Sequence, residues 1–154
     1  MNPSAAAEPL HAIRSKLPTQ VRLVYKHYPL PFHKHARVAA ALAILAAGRN
    51  RFWQIHNELF SRSGPLTEDF VRQTAEKAGF NWKEVISAAN SPAVAARIED
   101  DTTLAKLVGV GGTPTIFING RQYRGPIDLP NLEIVVSEEL RGRLSSNRAE
   151  GRQN

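Results

Sequence analysis

The sequence predicts an α/β domain in which a block of helices separates one strand from a later β-hairpin. Three observations carry that reading. Val21, Leu23 and Tyr25 alternate with Arg22, Val24 and Lys26 across Gln20–His27, the period of two expected of a strand. Five helical segments then follow one another from about Phe32 to about Leu107 with no β-type run among them. After them Asn119-Gly120, the strongest short-range hairpin signal, stands between Thr115–Ile118 and Arg121–Arg124. A length of 154 residues suits a single domain able to bury its own core.

The elements are justified in chain order. Leu10, Ile13 and Leu17 lie at helical spacing over Ala5–Lys16, and Pro18 closes that helix. Pro29 and Pro31 end the strand after it. The alanine-rich stretch from about Phe32 to Ala47 is helical and is stopped by Gly48 at the position after its C-cap. Asn50 is placed to cap the next helix, whose Phe52, Trp53, His56, Leu59 and Phe60 form a wide stripe ending at Gly64-Pro65. Thr67 caps a helix through Phe70, Val71, Ala75 and Ala78 to Gly79, and Asn81 caps a short one holding Trp82, Val85 and Ile86. Ser91-Pro92 is a cap followed by proline at the first helical position and opens a helix to about Leu107. Beyond the hairpin and Gly125-Pro126, Asp128 caps a last helix with Leu129, Leu132, Val135, Val136 and Leu140 on one face. The polar stretch 144–154 is expected to be a disordered basic tail.

Composition narrows the chemistry. The chain has no cysteine, which excludes thiol catalysis, dithiol redox chemistry and Cys-based metal sites within these 154 residues. The formal charge is +6, of which a net of +3 falls between Arg141 and Asn154. The start, Met1 to Pro9, lacks the basic and apolar regions of a secretory signal, and the longest apolar run, Val38–Ala47, is half of the roughly 20 residues a membrane-spanning helix needs. The chain therefore reads as cytoplasmic by default.

Several sharper readings yield to plainer ones. His33 and His35 form an H-x-H pair, but residues two apart on a helix do not face each other and a metal needs three or four converging ligands; no metal site is expected. Gly109, Gly111 and Gly112 lack the Lys-Ser/Thr and the following helix of a phosphate cradle. Phe52, Trp53 and Phe60 read as core of the helical block, and Glu99-Asp100-Asp101 as a solvated acidic face. Dispersed Lys and Arg with 7% aromatic residues give no nucleic-acid module. No cofactor is expected.

The stretch Gly109-Val-Gly-Gly-Thr-Pro-Thr-Ile-Phe-Ile-Asn-Gly120 resembles the cis-proline loop of thioredoxin-fold proteins. Proline is tolerated at the first residue of a strand, and the cis form of an X-Pro bond costs only about 0.5–1 kcal/mol. Tyr28-Pro-Leu-Pro-Phe-His33 followed by Ala36, Ala39 and Ala40, then Phe52-Trp-x-x-His-x-x-Leu-Phe60, are similar to the DsbA-like members, which carry an inserted helical domain. With Glu8-Pro9 the resemblance runs from Glu8 to about Leu140.

That resemblance implies a thioredoxin-like domain over 1–143, with a helical insertion at about 32–108, a peptide-binding loop at Gly112, Thr113, Pro114 and Thr115, and a thiol–disulfide oxidoreductase ancestry. It also locates what is missing. Counting back from Glu8-Pro9, the family's C-x-x-C falls near Met1, Asn2, Pro3 and Ser4, where no thiolate is available, and the family's first strand is absent. In the family that strand lies between the strand here at Val21–His27 and the one at Thr115–Ile118. Three expectations follow from the resemblance: an in-frame segment ahead of Met1 that encodes the strand and the cysteines, and with them a place in the cell envelope; a redox-free domain that keeps the peptide groove; or a homodimer in which a second copy lends the strand. Extended peptide or protein is the expected partner.

Overall fold

The computed structural model describes the backbone of residues 3–62 and 64–150 and the side chains of residues 6–62 and 64–142. It divides into two compact units, one built from residues 1–24 and 112–154 and the other from Tyr25–Gly111.

The second unit holds five helices: α2 (Ala36–Ala47), α3 (Phe52–Ser61), α4 (Glu68–Lys77), α5 (Trp82–Ala89) and α6 (Pro92–Leu107). Their starts follow local chemistry. The Thr67 hydroxyl accepts from the Phe70 amide, the Asn81 side chain from the Lys83 amide and the Ser91 hydroxyl from the Val94 amide, each satisfying a donor that a helix leaves unpaired. Pro92 follows its cap at the first turn, where a missing N–H costs nothing. At the α2–α3 junction the outcome differs from the sequence expectation. Gly48 keeps right-handed helical angles, Asn50 takes the left-handed turn at φ 57°, and Arg51 becomes the N-cap of α3 with no side-chain cap hydrogen bond. Asparagine tolerates that region better than other residues with a Cβ, so its turn role displaces its cap role.

α2 is the centre of this unit and packs against α3, α4, α5 and α6. Leu42 and Ala46, both fully buried, join Ile55, Val71, Ala75, Phe80 and Val85 in one cluster, while Ala40, the fully buried Ala41, Ala89, Val94 and Ile98 make a second. Small side chains on most sides of α2 let four helices approach one axis. The first helical turn expected near Phe32 is replaced by turns up to His35, and α2 starts only at Ala36.

The other unit comprises α1 (Pro3–Lys16), the hairpin of β1 (Ile116–Ile118) and β2 (Arg121–Tyr123), and α7 (Leu129–Glu150). Ala6 and Ile13 of α1 and Leu132 of α7 are buried where the two helices pack. Asp128 accepts the Asn131 amide at 2.9 Å and so caps α7. Register is Ile116 with Tyr123, Phe117 with Gln122 and Ile118 with Arg121. Asn119 and Gly120 both have positive φ, 49° and 81°, the angles of a type I′ turn. Glu139 of α7 accepts from Asn119 and pairs with Arg121, and Lys16 pairs with Glu133, so both α1 and the hairpin are tied to α7. The backbone of α7 continues to Glu150, inside the stretch expected to be a tail; residues 151–154 lie outside the described residues.

The strand expected at Gln20–His27 is corrected. The stretch is extended, and exposure alternates along Val21–Lys26, but it joins no ladder, and the only sheet among the described residues is the two-stranded hairpin. Arg22–Lys26 make no backbone hydrogen bond among the described residues, because no strand lies alongside. Among the described residues no helix is long and apolar enough to cross a membrane.

Truncating Leu42, fully buried at the centre of α2, to alanine is expected to lower unfolding free energy by about 2–5 kcal/mol. The same change at Leu107, 80% exposed, is expected to shift it by less than about 0.5 kcal/mol. Urea denaturation of the two variants checks both.

Candidate functional site

The loop Gly112–Thr115 leads from the helical unit into β1. Thr113 is exposed, Gly112, Pro114 and Thr115 are half-buried, and the Thr113–Pro114 peptide bond is cis. The Thr115 hydroxyl donates to the Gly112 carbonyl at 2.7 Å, closing the loop on itself. That bond occupies Gly112's acceptor and leaves the amide and carbonyl of Thr113 without a hydrogen-bond partner among the described residues. A Cβ added at Gly112 would meet nothing within 4 Å, so the space over this residue is open. The loop thus presents bare main chain next to a strand, an arrangement that can hold an extended peptide by backbone hydrogen bonds. The four loop residues singled out from the sequence are contiguous here. Of the positions counted for the C-x-x-C, Met1 and Asn2 lie outside the described residues, while Pro3 and Ser4 form the first turn of α1.

The helical unit contains a buried polar group that the sequence reading missed. Asp101 of α6, placed there among solvated acids, has a side chain only 1% exposed, whereas Glu99 and Asp100 are exposed. Its carboxylate accepts the His27 backbone amide at 2.9 Å and the Lys26 ammonium at 2.9 Å. Beside it, Tyr25 packs its ring on His27, Phe52, His56 and Phe60, with centroids 4.8–6.2 Å apart. Phe52, Trp53 and Phe60 therefore meet other protein rings. Asp101 follows Val94 and Ile98 at intervals of four and three, the spacing of a buried helix face, and this was the signal that could have found it.

Electrostatics follow from burial. Desolvation, aided by the Asp101 charge, pushes the Tyr25 phenol up to about 12. Burial lowers the His27 imidazole below its usual value against an opposing pull from Asp101, with Arg97 and Lys26 adding to the lowering. Burial alone would raise Asp101, but the His27 amide, the Lys26 ammonium and the Arg97 charge together outweigh it and hold the carboxyl below the ordinary carboxylate range. Among the described residues no three His, Asp or Glu side chains converge on a point where a metal could sit.

Comparison with known proteins places this geometry. Residues 25–136 match the family model described as DSBA-like thioredoxin domain. A thioredoxin-like oxidoreductase from Silicibacter pomeroyi superimposes with a TM-score of 0.74 at 22% identity, over 91% of this chain and 82% of that one. The thiol-disulfide exchange protein alpha-DsbA2 from Wolbachia pipientis gives 0.68 at 18% identity, over 90% and 77%. The fold is thioredoxin-like with a helical insertion. In sequence, the chain is 36% identical over 141 residues to a protein named Na(+)/H(+) antiporter NhaA from Nitrosospira multiformis and 32% identical over 130 residues to one from Herminiimonas arsenicoxydans. The matches cover 91% and 84% of this chain but 22% and 21% of those relatives, so the chain spans about a fifth of their length.

Two pH limbs are expected in the stability of the folded chain. Asp101 has a depressed folded value, so its contribution is present above the ordinary carboxylate range and is lost as pH falls through that depressed value. His27 acts in the same direction, because the unfolded chain gains a proton below about pH 6.5 more readily than the folded one. Tyr25 acts at the other end: above about pH 10 the unfolded phenol ionises first, and stability declines up to about 12. Replacing Asp101 with alanine strands the His27 amide and is expected to cost about 1–3 kcal/mol at pH 7. Denaturant midpoints from pH 2 to pH 11 for both proteins test this, the variant giving the flatter limb below about pH 4.

Proposed function

Since this chain belongs to the DSBA-like thioredoxin domain family, we propose that it is a peptide-docking domain of that family that carries out no thiol chemistry of its own. Extended polypeptide is held along the loop Gly112, Thr113, Pro114 and Thr115. The observation that carries this reading is the bare main chain of Thr113 on a loop closed by the Thr115 hydroxyl. Main-chain pairing supplies affinity without a fixed partner sequence, which suits a domain that meets unfolded or extended segments. Thiol exchange needs a thiolate to attack a disulfide sulfur, and the 154 residues contain none.

A second reading has its own basis in the relatives. Two proteins named Na(+)/H(+) antiporter carry a similar sequence as about a fifth of their length. This favours a docked polypeptide that is itself part of such an antiporter, and peptides tiled across that protein, measured against scrambled controls, test it.

The chain is expected to leave a model disulfide protein unreduced in a turbidity assay and to bind a labelled unfolded peptide by fluorescence anisotropy. Thr115→Val keeps the side-chain shape but removes the bond to the Gly112 carbonyl, and is expected to weaken peptide binding by about 3- to 10-fold. Gly112→Trp fills the open space over the loop and is expected to abolish binding while leaving the circular dichroism spectrum unchanged. Equal affinity for the wild type and both variants overturns the reading.

A further inference from the structure

We propose that the tip of the helical unit at residues 31–37 is a membrane-contact element, in which Phe32 enters the interface of an anionic phospholipid bilayer while Lys34 and Arg37 pair with its headgroups. This goes beyond the peptide-docking reading, uses other residues and does not depend on it.

The sequence changes from apolar to basic within this one short segment. Tyr28-Pro-Leu-Pro-Phe32 carries no charge, and His33-Lys-His-Ala-Arg37 carries no acid. From Tyr25 to Asn57 the chain has five Lys or Arg and no Asp or Glu. Lys26 is matched by Asp101 and Arg49 by Glu84, whereas Lys34 and Arg37 meet no carboxylate among the described residues. Arg37 is steadied by one N–H, which donates to the Ala89 carbonyl at 3.3 Å, and keeps the other donors of its guanidinium.

Backbone geometry puts the aromatic ring at a corner. The His33 amide donates to the Leu30 carbonyl at 3.0 Å, closing a turn with Pro31 and Phe32 at its centre. The Ala36 amide donates to the His33 carbonyl at 2.9 Å, closing a second turn with Lys34 and His35 at its centre. Proline at the first central position pre-sets such a turn. Phe32 is accordingly 76% exposed, with Pro31, His33 and Lys34 exposed beside it, and among the described residues its ring meets one other, that of His33, at 4.6 Å. A lone exposed apolar side chain is ordinary. Here the turn holds one out beside two cations and no acid, the mixture of aromatic and basic side chains that suits the interface of an anionic leaflet. The corner offers a protruding ring rather than a groove, so it is matched to a fluid surface that yields around it and not to a polypeptide that must be read.

Co-sedimentation of the 154-residue chain with lipid vesicles tests this. Binding to phosphatidylcholine vesicles that contain phosphatidylglycerol is expected to exceed binding to phosphatidylcholine alone, and to fall as salt rises from about 50 to about 500 mM. Phe32→Ala is expected to weaken it by about 10-fold, and Lys34→Gln and Arg37→Gln by about 5-fold each. Phe32→Trp is expected to keep binding and, on vesicles of brominated phosphatidylglycerol, to show fluorescence quenching beyond that of Trp53 and Trp82 in the parent chain; this readout stands even if the alanine variant misfolds. The proposal is overturned if anionic vesicles bind no better than neutral ones or if the Phe32→Trp signal is not quenched. It is equally overturned if a folded Phe32→Ala binds like the parent, which assigns binding to cations elsewhere in the chain. Soluble poly-glutamate that binds as strongly as the anionic vesicles, and is lost with Phe32→Ala, assigns the tip to an acidic polypeptide and overturns the lipid surface.

Discussion

The carboxylate of Asp101 anchors the end of an extended, ladder-free stretch of chain, at Lys26 and His27, to α6. Between Arg22 and Lys26 the backbone makes no hydrogen bond among the described residues, and the next amide, that of His27, is taken by Asp101. A buried acid is tolerable only if its lone pairs are used, and here a backbone donor and a lysine ammonium use them. Once His27 is held, Tyr25 is placed against Phe52, His56 and Phe60, and the aromatic side of the helical unit closes around it. Lys26 is itself half-exposed, so the hydrogen bond to the His27 amide, rather than the ion pair, is the part of this arrangement that burial strengthens.

The two units solve the problem of backbone satisfaction in different ways. The helical unit does so with its own side chains: caps at Thr67, Asn81 and Ser91, Arg37 and Arg51 donating to the Ala89 and Ala78 carbonyls, and Asp101 accepting the His27 amide. The other unit leaves main chain without a partner among the described residues at Thr113, at Phe117 and along Arg22–Val24. Bare main chain is what strand addition consumes, and the proposed peptide docking draws on it at Thr113. The family's redox chemistry would require cysteines that this sequence lacks, whereas its capacity for β-pairing requires none.

Local chemistry made much of this legible from the residues. Serine, threonine, asparagine and aspartate before a helical period fixed four helix starts, and Asn119-Gly120 fixed a turn, because each acts within a few residues of itself. The Gly112–Thr115 loop was equally local. What escaped required partners far along the chain. Val21–Lys26 has the pattern of a strand, yet a strand exists only beside another, and the alternation carries no information about whether one is there. Asp101 sits next to two solvated acids and differs from them only in which way its side of α6 faces. Asn50 could serve as cap or as left-handed turn, and the angle at which α2 hands over to α3 decided it.

The alanines of α2 set a limit of another kind. Ala41 and Ala46 are fully buried against neighbouring helices, so the spacing of the bundle is fixed by the smallest side chain that still favours a helix. Sequence drift along this helix is therefore one-sided. Leu42 can shrink and leave a void, but an alanine that grows must push a whole helix outward, and loss to glycine weakens the helix instead. Of all the surfaces in the molecule, the one with the least chemistry is the one with the least freedom to change.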